Sequence, residues 1–307
     1  MTNIPKDEDD TFLSGFVAIL GCPNVGKSTL LNRILEHKIA IVTPKPQTTR
    51  TRILGILHNP RYQIVFVDTP GIHTPIHRLG EILVANAVRA ISDSDVNLVL
   101  IDASKNLTEE DAIVLETVFR KSKAPIIVVL NKMDAAKTID LNRMSEEISA
   151  ICKPDKIISI SALTGENVDK LLENIVSFLP PGPPFFDKDT ITDQRTDETV
   201  AEIIREKLIM AVRQEVPYHT AVMVENIAPA EKNRDVLHIR AIIFVARKGQ
   251  KALVIGKAGS RIKTVGIAAR TELEKLFGQK VFLELWVKVR PDWFKKDSVI
   301  GELGYKR

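Results

Sequence analysis

Residues 16–28 read FVAILGCPNVGKS: an apolar run, then the octapeptide Gly21-Cys22-Pro23-Asn24-Val25-Gly26-Lys27-Ser28, after which an amphipathic segment begins. The octapeptide fits G-x-x-x-x-G-K-[ST], in which two glycines let successive backbone N–H groups face phosphate oxygens. The lysine bridges the β and γ phosphates, and the serine hydroxyl serves a Mg²⁺ bound to them. The placement predicts a strand, a phosphate-binding loop and a helix whose positive dipole end faces the anion.

The chain around this loop alternates short β-branched runs with longer amphipathic segments, which is typical of βαβ units. We expect strands at 16–20, 64–68, 97–101, 126–130 and 157–160, with helices at 28–36, 81–92, 109–121, 140–152 and 168–179. Residues 50–57 are expected to add an antiparallel edge strand. The predicted fold is a doubly wound, mostly parallel α/β sheet, whose ligands bind beyond the carboxyl ends of the strands.

A second motif, Asp68-Thr69-Pro70-Gly71, follows the strand at 64–68. A carboxylate at this point can hold Mg²⁺ through water, and the Gly71 N–H can meet a γ-phosphate without a side chain in the way. By itself D-T-P-G is only a turn signal. Beside the phosphate loop it predicts a γ-phosphate sensor.

Two further strand ends carry groups that suit a purine base. Asn131-Lys132-Met133-Asp134 follows the strand at 126–130, and a carboxylate such as Asp134 can accept the two adjacent donors of guanine, which adenine lacks. Asn131 would tie the loops together and the stem of Lys132 would lie over the base. Ser161-Ala162-Leu163 follows the next strand, where the Ala162 N–H can donate to guanine O6.

With these four loops in this order, residues 16–180 resemble the translation-factor-type P-loop GTPases of the Ras-like class. The resemblance implies GTP hydrolysis with Mg²⁺, with Ser28, Thr49 and Asp68 serving the metal. It places the first switch in Gln47, Thr48, Thr49, Arg50 and Thr51, with Thr49 favoured over Thr48 as the metal ligand. The nucleotide-binding set is Gly21, Cys22, Pro23, Asn24, Val25, Gly26, Lys27, Ser28, Thr29, Asp68, Thr69, Pro70, Gly71, Ile72, Asn131, Lys132, Met133, Asp134, Ser161, Ala162 and Leu163.

One departure from the Ras-like pattern concerns the residue after D-x-x-G, which is Ile72 where a glutamine would position the attacking water. The chain resembles the GTPases with a hydrophobic residue there, in several of which a P-loop asparagine helps hold K⁺ against the phosphates. We therefore expect slow hydrolysis that rises with K⁺, with Asn24, Lys27, Thr49 and Gly71 as the catalytic set.

The second part of the chain has a different pattern, with a helix expected at 199–215, strands at 220–227 and 236–247, a helix at 261–277 and a strand at 281–289. If 252–255 begins a short helix, the order is α-β-β-α-α-β. The stretch Ile255-Gly256-Lys257-Ala258-Gly259 fits the I-G-x-x-G signature, and the order resembles the type II KH domain. The resemblance implies that RNA contacts Ile255, Gly256, Lys257, Ala258, Gly259, Arg261 and Lys263.

Charge is unevenly divided between the two parts. There are 20 Lys and Arg against 22 Asp and Glu before residue 185, and 23 against 17 from there on, so that the overall net charge is +4. Residues 236–271 contain no acidic residue but eight basic ones. This stretch is a candidate anion-binding surface, although a solvated face with counter-charges from elsewhere in the fold has the same composition.

Length and composition bound the remaining choices. A chain of 307 residues suggests two domains, and we divide it into a polar tail (1–13), a GTPase domain (14–180), a Pro-rich linker (181–198) and a KH domain with a C-terminal extension (199–307). No apolar stretch approaches the 18 or so residues of a membrane span, and two cysteines make no disulfide framework. The histidines show no metal-ligand spacing, and His73 and His77 are expected to face solvent. We expect a cytoplasmic protein.

Both halves together resemble the Era family of bacterial GTPases, from about residue 14 to the C-terminus. The resemblance implies GTP-dependent binding of the 3′ end of 16S rRNA, a role in assembly of the small (30S) ribosomal subunit, a monomeric state and peripheral contact with the inner face of the cell membrane. An alternative is a nucleotide-gated RNA-binding clamp with negligible functional hydrolysis. A tRNA-modifying GTPase is disfavoured, because no additional catalytic domain fits the sequence.

Overall fold

The computed structural model describes residues 11–136, 139–212, 216–231 and 233–305. The chain forms two compact units. The first comprises residues up to 39, 52–73 and 84–193, and the second comprises 40–51, 74–83 and 194 onward. The second unit therefore takes two short segments from within the first half of the chain.

The first unit contains six strands and five α-helices among its described residues. The strands are β1 (Leu13–Gly21), β2 (Ile53–Asn59), β3 (Tyr62–Asp68), β4 (Val96–Asp102), β5 (Ile126–Asn131) and β6 (Lys156–Ser159). The helices are α1 (Lys27–Leu35), α2 (Arg78–Ser92), whose first turns belong to the second unit, α3 (Glu109–Lys121), α4 (Leu141–Ile151) and α5 (Val168–Val176). Every strand and helix expected here is present, with ends shifted by up to three residues.

The sheet of this unit has the order β2-β3-β1-β4-β5-β6, and only β2 runs antiparallel to its neighbour. Residues 17–20 of β1 and 126–131 of β5 are buried, as expected for parallel strands covered on both faces. The mostly parallel α/β fold is thereby confirmed. Its strand register brings the carboxyl ends of β1, β3, β4 and β5 to one edge, where the predicted loops begin.

The Pro-rich segment expected to be a linker packs on the first unit up to residue 193. Buried Gln63 explains this, because its amide oxygen accepts hydrogen bonds from the N–H groups of Phe185 (2.7 Å) and Phe186 (3.1 Å), and its amide nitrogen donates to the Phe186 carbonyl. The rings of Phe16 and Phe185 pack at 4.9 Å. The segment is thus an ordered strap, and the following helix begins at Thr196, inside the expected linker.

The second unit has the expected α-β-β-α-α-β order: α6 (Thr196–Ala211), β7 (Thr220–Ala230), β8 (Asn233–Val245), α7 (Lys248–Ile255), α8 (Ser260–Phe277) and β9 (Lys280–Val289), followed by the short α9 (Asp297–Glu302). Its sheet has the order β7-β8-β9, with β7 and β8 antiparallel and β8 and β9 parallel. The α+β arrangement predicted for this half is confirmed.

The two faces of this sheet are covered differently. Odd-numbered residues of β8 and β9, such as Ile239, Ile243 and Val281, pack with α6 and α8 in the main core of the unit. On the opposite face, Ile242 and Phe244 lie under a cap that includes Trp293, Phe294, Ile300 and Tyr305 together with Leu79 and Leu83. Among the described helices, none is long and apolar enough to cross a membrane.

Candidate functional site

The phosphate loop owes its shape to three residues with positive φ. Gly21 (φ 142°), Asn24 (φ 64°) and Gly26 (φ 103°) adopt backbone conformations that most side chains avoid. A Cβ on Gly26 would lie 2.2 Å from the side-chain nitrogen of Asn131. The second glycine of the motif is therefore required for the close approach of the base-binding loop as well as for the turn.

Lys27, Ser28 and Asp68 form the polar centre of this loop. Lys27 is 6% exposed, and its Nζ donates to the carbonyls of Cys22 (2.8 Å) and Gly21 (3.2 Å). Burial lowers the pKa of Lys27 to about 8, against the opposing effect of Asp68. Burial raises the pKa of Asp68 to about 6, although Ser28 and Lys27 work in the other direction.

The residues at this centre fit a Mg²⁺ ion. The Ser28 hydroxyl donates to Oδ2 of Asp68 at 2.7 Å, while Oδ1 of Asp68 is buried and has no hydrogen-bond partner among the described residues. Leaving a buried carboxylate oxygen unpaired costs free energy, and a hard cation with oxygen ligands would remove that cost. Ser28 and Asp68 are therefore the groups of this unit that would hold the metal.

The Asp68-Thr69-Pro70-Gly71 loop is fastened to β1 and to the phosphate loop. The Thr69 hydroxyl donates to the Ile19 carbonyl (2.8 Å), and the Ile72 N–H donates to the Gly21 carbonyl (3.1 Å). A Cβ on Gly71 would lie 2.7 Å from the backbone nitrogen of Pro23. Gly71 is thus required for the contact between the two loops, and the buried Ile72 side chain offers no polar group for water.

The two base-binding loops are joined to the phosphate loop through Asn131. Its amide nitrogen donates to the Val25 carbonyl (2.8 Å), and its amide oxygen accepts from the Ala162 N–H (2.9 Å). Ser161 Oγ donates to Oδ1 of Asp134 at 2.5 Å, which orients this exposed carboxylate. Asn131 thus joins three of the four predicted loops by hydrogen bonds. The fourth, the D-T-P-G loop, is bonded to the same network because the Ile72 N–H donates to the Gly21 carbonyl.

Two residues that the sequence analysis did not single out support this network. Asp102, at the end of β4, pairs with Lys132 at 2.6 Å and accepts a bond from the Ser104 hydroxyl at 2.6 Å. Although burial acts to raise it, these bonds hold the pKa of Asp102 below its ordinary value. Arg33 of α1 donates to the carbonyls of Ala162 and Leu163. The sequence could have indicated Asp102, because it stands at the end of a predicted strand like the other site residues. Nothing in the sequence around Arg33 indicates its role.

The predicted first switch lies in the segment 40–51, which belongs to the second unit, whereas Ser28 and Asp68 belong to the first. Its Val42 N–H donates to Glu206 (3.1 Å), and its Lys45 Nζ donates to the Ile209 carbonyl (2.7 Å), both on α6. Thr48 accepts a bond from Arg205 at its carbonyl, and Thr49 is 9% exposed. The segment is therefore an integral part of the second unit.

Arg50 anchors this segment most strongly. Its guanidinium donates to the carbonyls of Thr220 (2.6 Å), Pro217 (2.9 Å) and Tyr218 (3.0 Å), and it lies about 6 Å from the ring centres of Trp293 and Tyr305. Burial lowers the pKa of Arg50.

The segment 74–83 is also anchored in the second unit. The ring of His77 packs against His219 (5.6 Å) and Phe294 (4.9 Å). Its expected solvent-facing position is wrong, because it fills an aromatic cluster. His73 is half-buried and its Nδ1 lies 2.8 Å from the Gly71 carbonyl.

The G-x-x-G loop joins α7 to α8. Gly256 and Gly259 both have φ of 76°, and Ala258 between them has a left-handed conformation (φ 49°). A Cβ on Gly256 would lie 2.8 Å from Cβ of Arg261, whereas a Cβ on Gly259 would meet nothing within 4 Å. The Arg261 guanidinium donates to the Leu253 carbonyl at the end of α7. Gly259 is thus the glycine that leaves open space in front of the loop.

The cations around this loop are exposed. Lys257 lies between the two glycines and Lys263 follows them, and Arg247, Lys248 and Arg270 reach solvent from the start of α7 and from α8. Exposed lysines and arginines beside an open glycine turn are suited to neutralise the phosphates of a nucleic-acid backbone.

Two protein families match separate parts of the chain. A family described as 50S ribosome-binding GTPase matches residues 16–132, and the KH domain family matches residues 215–294. The first match covers the phosphate loop and the D-T-P-G loop and ends at Lys132, and the second covers the G-x-x-G loop.

Two relatives match the chain over nearly its whole length. The chain is 44% identical over 296 residues to the GTPase Era of Alkaliphilus metalliredigens, covering 96% of this chain and 100% of the relative, and 41% identical over 295 residues to that of Carboxydothermus hydrogenoformans, covering 96% and 98%.

Two solved structures cover 96% of the chain and 100% of their own chains, at 41% identity. One is Era in complex with MgGDPNP and nucleotides 1506–1542 of 16S ribosomal RNA (TM-score 0.93). The other is a single-residue variant of Aquifex aeolicus Era bound to GDP and AlF4⁻ (TM-score 0.91).

Proposed function

Since the chain belongs to the GTPase Era family, we propose that it binds the 3′ end of 16S rRNA through its KH domain in a GTP-dependent manner and acts in assembly of the small ribosomal subunit. One observation carries the proposal: a relative that matches both units over 96% of this chain is bound to MgGDPNP and to nucleotides 1506–1542 of 16S rRNA. The description of the GTPase family that matches residues 16–132 names the 50S subunit, which is the large one. That match covers only part of the first unit, whereas the relative bound to 16S rRNA covers both units, so the proposal names the small subunit.

The mechanism begins with binding of the nucleotide at the carboxyl edge of the first sheet. The N–H groups of the phosphate loop and Lys27 would hold the phosphates, while Ser28 and Asp68 would hold Mg²⁺. The metal, when bound, neutralises the charge that develops on the transferred phosphoryl group. Asp134, oriented by Ser161, would accept the guanine donors, and Asn131 keeps this loop against the phosphate loop. A metal role for Thr49 stays a prediction.

Base selectivity tests the nucleotide half of the proposal. Asp134→Asn offers one acceptor and one donor where the carboxylate offers two acceptors, so we expect the variant to lose its preference for GTP and to gain affinity for XTP. The measurement is competition of unlabelled GTP, XTP and ATP against a fluorescent GDP analogue. An unchanged ratio of GTP to ATP affinity would contradict the assignment of Asp134.

RNA binding tests the other half, and the structure offers a matched pair of variants. Gly259 (φ 76°) lies in the G-x-x-G loop and Gly278 (φ 65°) ends α8, and a Cβ on either would meet nothing within 4 Å. Gly259→Asp and Gly278→Asp therefore add the same charge and similar backbone strain at open positions. We expect only Gly259→Asp to abolish binding of labelled RNA spanning nucleotides 1506–1542. Equal binding by the two variants would refute the role of the loop.

The nucleotide dependence of RNA binding and its coupling to hydrolysis distinguish the proposal from the clamp alternative. RNA affinity is measured with GDP and with a non-hydrolysable GTP analogue, and we expect tighter binding with the analogue. Single-turnover GTP hydrolysis is then followed with and without the RNA. Turnover that RNA does not change, together with nucleotide-dependent RNA affinity, would favour the clamp.

We further propose that K⁺ stimulates hydrolysis through Asn24. The buried Ile72 side chain cannot position the attacking water, so that another charge must act at the phosphates. Asn24→Gly removes the side chain at a position with φ of 64° without adding backbone strain. Hydrolysis is compared in KCl and NaCl at equal ionic strength. We expect K⁺ stimulation in the natural chain only, and equal rates in both salts for the natural chain would refute it.

A cytoplasmic location is proposed from the composition, and peripheral membrane contact and a monomeric state are proposed from the family resemblance. Flotation with anionic phospholipid vesicles tests the membrane contact, and sedimentation equilibrium tests the monomer. Protein that stays with the soluble fraction at low salt would contradict membrane binding, because interfacial attraction to anionic lipid is strongest there.

A further inference from the structure

The outer face of the sheet in the second unit, which is the face turned away from α6 and α8, is only partly covered. Its capped end lies around Ile242 and Phe244, as described above. On the neighbouring strand β9, Phe282 lies beyond the cap and is 57% exposed, and Trp286, although it pairs with the capped Ile242, is 55% exposed. Two large aromatic rings are thus left in solvent on the same face of one strand, and each can offer its ring face to a ligand.

The two rings share a face and stand apart along β9. They are four residues apart, which is about 13 Å at the rise of a β-strand. The paired strand β8 places His238 opposite Phe282 and Arg240 opposite Glu284, which is midway between the rings. The two aromatic rings therefore offer separate stacking surfaces with polar side chains between them, and they do not form one apolar patch.

The polar side chains hold the two rings in place. Glu284 accepts hydrogen bonds from Trp286 Nε1 (2.7 Å) and Arg240 Nε (3.1 Å), and it lies 3.2 Å from His238 Nε2. The His238 ring packs against Phe282 at 5.1 Å. Because the indole N–H is satisfied within the protein, the ligand need only meet the ring face of Trp286. The platform is thus organised before any ligand arrives.

The charge of this face suits a polyanion. The carboxylate of Glu284 is occupied by its partners, and these bonds hold its pKa below the ordinary value. Exposed Lys280 and Lys288 stand at the two ends of the platform, Arg240 has a 48% exposed side chain, and the ion pair of Lys288 with Glu225 is long, at 3.9 Å. A protein interface would place an apolar centre here and exclude lysine.

We propose that this platform, Phe282, Arg240 and Trp286 with Lys280 and Lys288, binds single-stranded RNA by base stacking, as a second contact separate from the 256–259 loop. Aromatic rings and guanidinium planes stack on unpaired bases, which a duplex does not expose. This proposal rests on the proposed function, in which RNA is the ligand of this unit. The experiment below distinguishes failure of the platform from failure of RNA binding at the 256–259 loop.

Tryptophan fluorescence reports the contact directly, because Trp286 is exposed and Trp293 is fully buried. RNA of nucleotides 1506–1542 is titrated into the full-length protein. We expect stacking to quench the emission of Trp286 and to leave that of Trp293. In Trp286→Phe the quenching is lost while affinity stays within about threefold, because phenylalanine still stacks.

Affinity is then measured by anisotropy of the labelled RNA. Trp286→Ala should weaken binding roughly 5- to 150-fold, the range for losing one stacked base. Phe282→Leu, which keeps the apolar volume without the aromatic face, should weaken it in the same direction. Leu276→Ala is the matched control, since it removes a half-exposed apolar side chain from α8 of the same unit. Trp293 emission verifies that each variant is folded.

Two results would overturn the proposal. In one, Trp286→Ala and Phe282→Leu bind RNA within twofold of the natural chain, while Gly259→Asp abolishes binding. In the other, the substitutions change only the sedimenting mass, which would make the face a protein interface. If Gly259→Asp instead binds RNA normally, the loop does not have the role given to it in the proposed function. The RNA affinities of Trp286→Ala and Phe282→Leu then test the platform independently of the loop.

Discussion

Arg50→Met should strongly destabilise the second unit, although Arg50 stands far from that unit in the sequence. The guanidinium is 2% exposed and donates to three backbone carbonyls beside the start of β7. Methionine keeps the apolar stem and removes the donors. Each buried carbonyl left without a partner costs about 1–3 kcal/mol, whereas the Pro217 carbonyl keeps its bond from the Thr220 hydroxyl (3.0 Å) and relief of the buried charge returns part of the sum. We expect a net loss of about 2–4 kcal/mol.

Urea unfolding followed by tryptophan emission measures this loss, because both tryptophans belong to the second unit and Trp293 lies beside Arg50. At a slope of about 2 kcal/mol per molar urea, the midpoint should fall by about 1–2 M. Arg52→Met is the matched control, since Arg52 is exposed and lies two residues further on. Equal midpoints for the two variants would refute the view that Arg50 fastens the segment 40–51 to this unit.

Three further outcomes follow from the nucleotide site. Asp68→Asn should stabilise the nucleotide-free protein in EDTA by about 1–3 kcal/mol at pH 7.5 and by about a third of that at pH 4.5. With a folded pKa near 6, above the ordinary 3.8, the natural carboxyl stabilises the folded state fully only below pH 3.8, and this effect is lost as the pH rises through 6. Circular dichroism in urea at both pH values measures it, and a pH-independent gain contradicts the raised pKa. Gly71→Ala should weaken binding of a GTP analogue more than binding of GDP. Its Cβ would lie 2.7 Å from the Pro23 nitrogen and so displace the N–H that is expected to meet the γ-phosphate, which GDP lacks. Equal losses of affinity in a fluorescent-nucleotide titration would contradict this. Gly26→Ala should abolish binding of both the GTP analogue and GDP, because its Cβ would displace the Asn131 side chain. Retained GDP binding in the same titration would contradict this.

Much of the first unit could be predicted because its strands are buried on both faces and end in recognisable loops. Runs such as residues 126–130 are apolar throughout, and each is followed by the group that serves the ligand. Since parallel strands bring their carboxyl ends to one edge, the order of the motifs along the chain was sufficient to predict that they meet. Their mutual bonds through Asn131 follow from that shared edge.

The contacts that could not be predicted join residues far apart in the chain. Arg50 reads as one more exposed cation in a threonine-rich loop, and its partners lie about 170 residues away, at positions 217–220. The strap at 181–193 reads as a linker because it begins with a run of prolines, yet Gln63 of β3 supplies three of its hydrogen bonds. A buried polar side chain takes part in each case, and no periodicity in the sequence predicts its partners.

The two units reach an anion by different physical means, and this explains their unequal charge. In the first, Lys27 is 6% exposed and the remaining donors are backbone N–H groups, so phosphate is held without a basic surface. In the second, Lys257 and Lys263 stand in solvent beside an open loop, and a surface of this kind gains by releasing counterions from a nucleic acid. The small net charge of +4 therefore averages a buried site that needs one cation with an exposed site that needs many.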